Sequence, residues 1–213
     1  MNSKKILLFT VFTSFILNLS ATIQAPSQLE WGKTKKQMVI NGYQFEDCKY
    51  LLGNALQYCG VINIKKPISF AEDYTLYFVD GFGLSKVLVQ GKNITGDVYG
   101  TNGKAQYENI KSSLVKKYPN MDGFQIKSFE WGGAKLYQES DEFYECLGYE
   151  GCGSYVSYIY SSSDSIDRGV VSIEIKGYRR GVGAINLTYE SEFWSEALDS
   201  AREKQNQKDN DAL

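Results

Sequence analysis

Tyr74-Thr75-Leu76-Tyr77-Phe78-Val79-Asp80-Gly81-Phe82-Gly83-Leu84-Ser85-Lys86-Val87-Leu88-Val89 is the stretch whose reading decides the fold. Two runs rich in β-branched and aromatic residues suit a pleated, half-buried surface. Asp80-Gly81-Phe82-Gly83 between them supplies a reversal, so residues 74–89 read as a β-hairpin. Toward the C-terminus, Gly91, Gly96, Gly100 and Gly103 mark a polar loop. Tyr107, Ile110, Leu114 and Tyr118 then recur every three or four residues, which predicts an amphipathic helix ending at Pro119-Asn120. An alternating strand follows from Phe124 to Trp131, then a loop through two cysteines, then strands over Ser154–Tyr160, Val170–Lys176 and Ala184–Tyr189. A last helix is expected from Ser191 as N-cap, burying Phe193 or Trp194, Ala197, Leu198 and Ala201, with residues 204–213 as a fraying polar tail. Toward the N-terminus, Thr34 reads as an N-cap, and Asn41-Gly42 splits Leu29–Leu52 into two short helices. The expected class is α+β: antiparallel sheets with flanking short helices.

The chain opens with an export pattern. Lys4 and Lys5 precede an apolar-or-Thr/Ser run from Ile6 to Leu17, and Asn18-Leu19-Ser20-Ala21 follows with no acidic residue before Glu30. This is the layout of a signal peptide over residues 1–21, cut after Ala21. A cut after Ala25 would place Pro26 just beyond the bond, which disfavours it. The run is shorter than the roughly 20 residues of a spanning helix, so no stable membrane insertion is expected after cleavage. The expected location is the periplasm or outside the cell.

Composition narrows the function. The chain carries 23 basic and 25 acidic residues, a balance without the basic surface that nucleic acid requires. Histidine is absent. Ser-His-Asp and Cys-His nucleophile systems therefore fall away, as do zinc hydrolases with histidine ligands. Enzymes that use only carboxylates survive.

Cys48, Cys59, Cys146 and Cys152 form an even set in an exported chain, which implies disulfides. Three pairings are possible; Cys48–Cys59 and Cys146–Cys152 are favoured because each is local and lies in its own half. The spacings match no zinc site, and neither metal nor cofactor is expected. The two halves share an order. Glu30-Trp31-Gly32-Lys33-Thr34-Lys35 and Glu130-Trp131-Gly132-Gly133-Ala134-Lys135 agree at four of six positions, and each is followed by a cysteine pair, a hairpin and a basic amphipathic helix. The shared order is open to two readings, coincidence or a tandem of two similar modules, and the chain divides into an N-terminal module over residues 22–120 and a C-terminal one over 121–203.

That order resembles the secreted β-lactamase inhibitor protein, a tandem of small α/β modules with local disulfides. Gly32-Lys33-Thr34-Lys35-Lys36-Gln37-Met38 is similar to the stretch that opens a helix in BamE-like periplasmic modules. The chain departs from both: each half ends in a helix, and the lipid-attachment cysteine of the BamE-like proteins is missing. The resemblance implies an exported, non-enzymatic, protein-binding module and transfers no functional residue.

Among candidate sites, Tyr158 and Tyr160 share a strand face in a Tyr/Ser-rich segment, a combination that makes adaptable binding surfaces. Tyr178-Arg179-Arg180-Gly181 reads as a hairpin tip, with an aromatic beside two arginines as at binding hot spots. Glu139, Asp141, Glu142, Glu145 and Glu150 gather acids that a glycosidase would need in one cleft. Gly100-Thr101-Asn102-Gly103-Lys104 lacks phosphate-loop spacing, and Asp164–Gly169 lacks the alternating ligands of a calcium loop. The reading is a periplasmic binding protein without catalysis, acting on a protein partner in the cell envelope as inhibitor, immunity factor or assembly accessory. The competing reading is a carboxylate-dependent cell-wall glycosidase or a glycan-binding module.

Overall fold

Antiparallel pairing runs unbroken across the protein. The computed structural model describes residues 22–119, 124–132, 143–149, 153–161 and 169–212. The expected signal peptide therefore lies outside the described residues, as do Cys152, Glu139, Asp141, Glu142, Glu150 and most of the 164–169 turn. In chain order the elements are α1 (Lys35–Ile40), β1 (Phe45–Leu51), a 3-10 turn (Leu52–Asn54), β2 (Leu56–Val61), β3 (Ala71–Val79), β4 (Gly83–Gly91) and β5 (Ile94–Thr95). There follow α2 (Thr101–Lys117), β6 (Phe124–Gly132), α3 (Phe143–Gly148), β7 (Gly153–Ser161), β8 (Val170–Arg179), β9 (Val182–Glu190) and α4 (Trp194–Asp211). Among the described residues the nine strands form one open sheet in the order β1-β2-β3-β4-β9-β8-β7-β6, with β5 continuing the β4 side of β9.

The order is two four-strand meanders meeting at their last strands. At the seam Val87 lies opposite Tyr189, Leu88 opposite Thr188 and Val89 opposite Leu187. Register runs alike in the two meanders: Cys59–Leu76–Val87 in one and Ser157–Ile173–Leu187 in the other, all buried on the same face. The predicted strands over 74–89, 124–131, 154–160, 170–176 and 184–189 all form.

Strand alternation gives the sheet an inner face. There Leu76, Val87, Val89, Ile173, Ile175, Ile185 and Leu187 join Met38 of α1, Tyr107 and Leu114 of α2 and Tyr144 of α3 in one core. Helix α2 lies over β7, β8 and β9. The segment from Ile23 to Trp31 closes the core from the N-terminal side. Ile23 is 1% exposed, the Trp31 indole N–H donates to its carbonyl at 2.8 Å, and the Ser27 hydroxyl donates to Tyr74 at 3.0 Å. On the outer face a smaller cluster of Ala55, Leu56, Val79, Ala197 and Ala201 seats α4.

Thr34 caps α1 as expected. The Gln37 N–H donates to its hydroxyl at 3.2 Å, and the Thr34 N–H donates to the Gln37 side chain at 2.9 Å, a reciprocal capping box. The second short helix expected after Asn41-Gly42 is instead strand β1. It pairs with β2 and is bonded to it through Cys48–Cys59, so tertiary pairing overrides a segment without clear period. The polar loop drawn through Gly100 and Gly103 ends earlier than expected, because α2 begins at Thr101. Part of the second cysteine loop is helix α3. Ser191 is not the N-cap of the last helix; that position is Phe193, and Ser191 is buried. Nor does the tail fray from 204: α4 continues to Asp211, with Lys204 on the Asp80 carboxylate at 2.6 Å. That pair joins the start of the polar segment to the tip of the 74–89 hairpin.

Candidate functional site

The outer face of β9, β8 and β7 carries no helix among the described residues, because α4 contacts β3, β4 and the 3-10 turn instead. Register defines what this face presents. One row runs Lys127, Tyr158, Ser172, Thr188, Leu88, Thr75 from β6 to β3. The next runs Gln125, Tyr160, Val170, Glu190, Lys86, Tyr77, Tyr58. Ser172, Thr188, Leu88 and Thr75 form a low, partly exposed floor. Tyrosines stand on both sides of it, those of β3 and β7 about 19 Å apart across four strand spacings.

On the β3 side the aromatics support one another. Tyr58 stacks on Tyr77 at 5.6 Å, and Trp194 meets Tyr77 edge-on at 6.2 Å. The Lys86 ammonium lies 5.0 Å from the Trp194 ring and 2.8 Å from the Glu190 carboxylate. Burial, and then the proximity of Tyr58, push the Tyr77 phenol above its ordinary pKa, so it stays neutral at physiological pH. On the β7 side Tyr158 is 39% exposed, and Tyr160 donates to Gln125 at 3.3 Å.

The predicted binding residues fall in two places. Tyr158 and Tyr160 sit on β7. Tyr178 is 46% exposed near the far end of β8, beside a register shift between Gly177 and Arg179. Arg179 lies opposite Val182, and Arg180 is in the turn, so the expected hairpin tip forms. Ser172, the neighbour of Tyr158, precedes Tyr178 by six residues, about 20 Å along the strand. The five residues thus share a sheet but make two patches. Tyr58, Tyr77, Lys86, Glu190 and Trp194 were missed. The 74–89 hairpin does set Tyr77 opposite Lys86, but their link to Glu190 and Trp194 depends on the seam.

The inner face holds two polar clusters whose roles are structural. Asp97 is 5% exposed. Its carboxylate accepts the Gly103 N–H at 2.9 Å and the Tyr144 hydroxyl at 2.8 Å. Burial alone would raise its pKa; hydrogen bonds from Gly103, Tyr144, Asn102 and Thr101 outweigh it and hold the carboxyl below its ordinary value. The glycine stretch at 100–103 is therefore a helix start whose N–H groups Asp97 already occupies. A side chain at Gly103, Gly177 or Gly183 would collide with Tyr144. In the second cluster, Tyr107 and Ser157 hydroxyls lie 2.5 Å apart, and Ser157 and Ser128 hydroxyls 2.7 Å apart. These hydroxyl contacts tie α2 to β7 and β7 to β6.

Cys48 and Cys59 form the first expected disulfide. Cys146 is also disulfide-bonded; Cys152 lies outside the described residues. Among the described residues no group of three or more acidic or cysteine side chains is placed to hold a metal. No helix among them is long and apolar enough to cross a membrane. No protein-family model, curated protein or solved structure matches this chain.

Proposed function

We propose that this is an exported, non-enzymatic protein-binding module of the periplasm, acting as inhibitor, immunity factor or envelope-assembly accessory through the outer face of its sheet. The observation that carries the reading is that face, on which no described helix packs: a floor of Ser172, Thr188, Leu88 and Thr75 between tyrosine pairs, with Tyr178, Arg179 and Arg180 at one end. Tyr and Arg contribute disproportionately to binding where a partner desolvates them. A broad face with a projecting hairpin suits a partner that has both a flat surface and a cleft. Oxidised cysteines favour an oxidising compartment, in keeping with the signal-like start.

Two duplicated modules account for the mirrored strand order. The seam residues Leu88 and Thr188 are 100 positions apart, as are Trp31 and Trp131. The helices are not mirrored, since α2 covers the inner face and α4 part of the outer one, so the modules would have diverged in how each is covered.

The test begins with a partner captured on the processed protein from a periplasmic extract and identified. Titration calorimetry on Tyr158→Ala and Arg179→Ala then follows. Each should weaken binding by about 2 kcal/mol and leave the melting temperature in place. Normal binding by both variants would remove the outer face from the interaction.

A further inference from the structure

The inner layer has a gap. Helix α2 covers β7–β9, residues 68–70 pack beside it over the other meander, and between them lies an open groove of about 410 Å³. Ligand pockets span roughly 300–1,000 Å³ and favour junctions between packed units. Ile68 and Phe70 form one wall and Ile110 and Leu114 the other, above Leu187 of β9. The α2 residues along the groove run from Gln106 to Lys117, about 16 Å at 1.5 Å per residue.

Lys117 stands at the end where the groove meets the Thr22–Trp31 segment. Its ammonium lies 5.0 Å from the Tyr118 ring. Among the described residues no carboxylate pairs with it, whereas Lys111 on the same helix reaches Glu108 at 3.6 Å. Partial desolvation beside the groove pulls the pKa of this otherwise exposed lysine below its ordinary value. The groove is therefore mainly apolar, with Ser69, Gln106, Asn109 and Ser113 also lining it, and cationic at one end.

We infer that this groove binds a straight-chain aliphatic carboxylate, with the chain against Ile68, Phe70, Ile110 and Leu114 and the carboxylate on Lys117. The apolar walls provide affinity, and the unpaired ammonium selects an anionic head. A cationic or neutral head would leave Lys117 repelled or unpaired. The site lies on the face opposite the proposed partner surface and does not depend on it.

Dodecanoate, below its micellar range, is the probe, titrated calorimetrically into the mature protein beside dodecanol and dodecyltrimethylammonium. Saturable binding of one equivalent of dodecanoate is expected, with the cationic analogue at least tenfold weaker. Lys117→Glu, at an exposed position, should weaken dodecanoate at least tenfold with an unchanged circular dichroism spectrum, and Lys117→Arg should restore it. Tyr178→Ala should bind dodecanoate normally, which separates this site from the partner surface. No saturable binding, equal binding of the cationic analogue, or undiminished binding by Lys117→Glu overturns the assignment.

Discussion

At one register position the two meanders use different chemistry. In the first, Cys59 of β2 faces the core and is bonded to Cys48 of the edge strand. In the second, Ser157 of β7 faces the core and shares a hydrogen bond with Ser128 of the opposite edge strand. The elements above them differ too. The 17-residue α2 lies over the second meander and delivers the Tyr107 hydroxyl to Ser157. Helix α1, of six residues, is the first meander's counterpart. Edge strand β6 pairs with β7 and shares the Ser128–Ser157 hydroxyl contact, whereas β1 is joined to β2 covalently as well as by pairing. The two sheet edges thus differ in kind, one fastened by a covalent bond and the other by pairing and a hydroxyl contact.

Breaking the covalent edge should have the largest effect. Replacing Cys48 and Cys59 together by Ser is expected to cost about 3 kcal/mol, the chain-entropy value for a short closed loop, measured by urea unfolding. A loss under about 1 kcal/mol would mean that pairing alone holds β1 and that the comparison fails. The clamp that seats α2 and α3 comes next. Asp97→Asn should cost about 2 kcal/mol, since it removes charge-assisted hydrogen bonds from a buried acceptor. The carboxyl's pKa in the folded protein is lowered, so its stabilisation is fully present above about pH 4, near the unfolded value. It is lost as pH falls through the folded value. The native protein should therefore lose stability in acid more steeply than the Asn variant; parallel acid titrations would show the clamp is not electrostatic. The smallest effect is Tyr107→Phe, about 1 kcal/mol for one buried hydroxyl bond. A drop approaching that of the disulfide variant would mean the hydroxyl chain is itself the second meander's main fastening.

The failures of sequence reading are as informative as its successes. The hairpin at 74–89 was legible because its signals are local: alternating apolar residues around a glycine turn. Strands β7, β8 and β9 were legible for the same reason. Strand β1 was not, since Phe45-Glu46-Asp47-Cys48-Lys49-Tyr50-Leu51 has no clean alternation and contains a left-handed Asp47 (φ 48°) at a register shift. The early start of α2 was hidden because Gly100 and Gly103 look like loop residues, while their purpose is clearance for Phe143 and Tyr144, about 40 positions away. The polar end of α4 has no core pattern of its own, its buried residues being Ala197 and Ala201 in the first half of the helix.

Sequence alone thus determined the α+β class, most strands, the Thr34 cap and the hairpin tip at Arg179-Arg180, and it favoured the Cys48–Cys59 pair among three possible pairings. Each rests on periodicity, turn chemistry or spacing within a few residues. Only the tertiary structure decided that β4 pairs with β9, that α2 and α4 take opposite faces, and that the candidate tyrosines form two patches. Those outcomes depend on which strands meet across a hundred positions and which face a helix covers. Local periodicity tells a strand that it has two faces, but the choice of buried face is made by whatever packs against it.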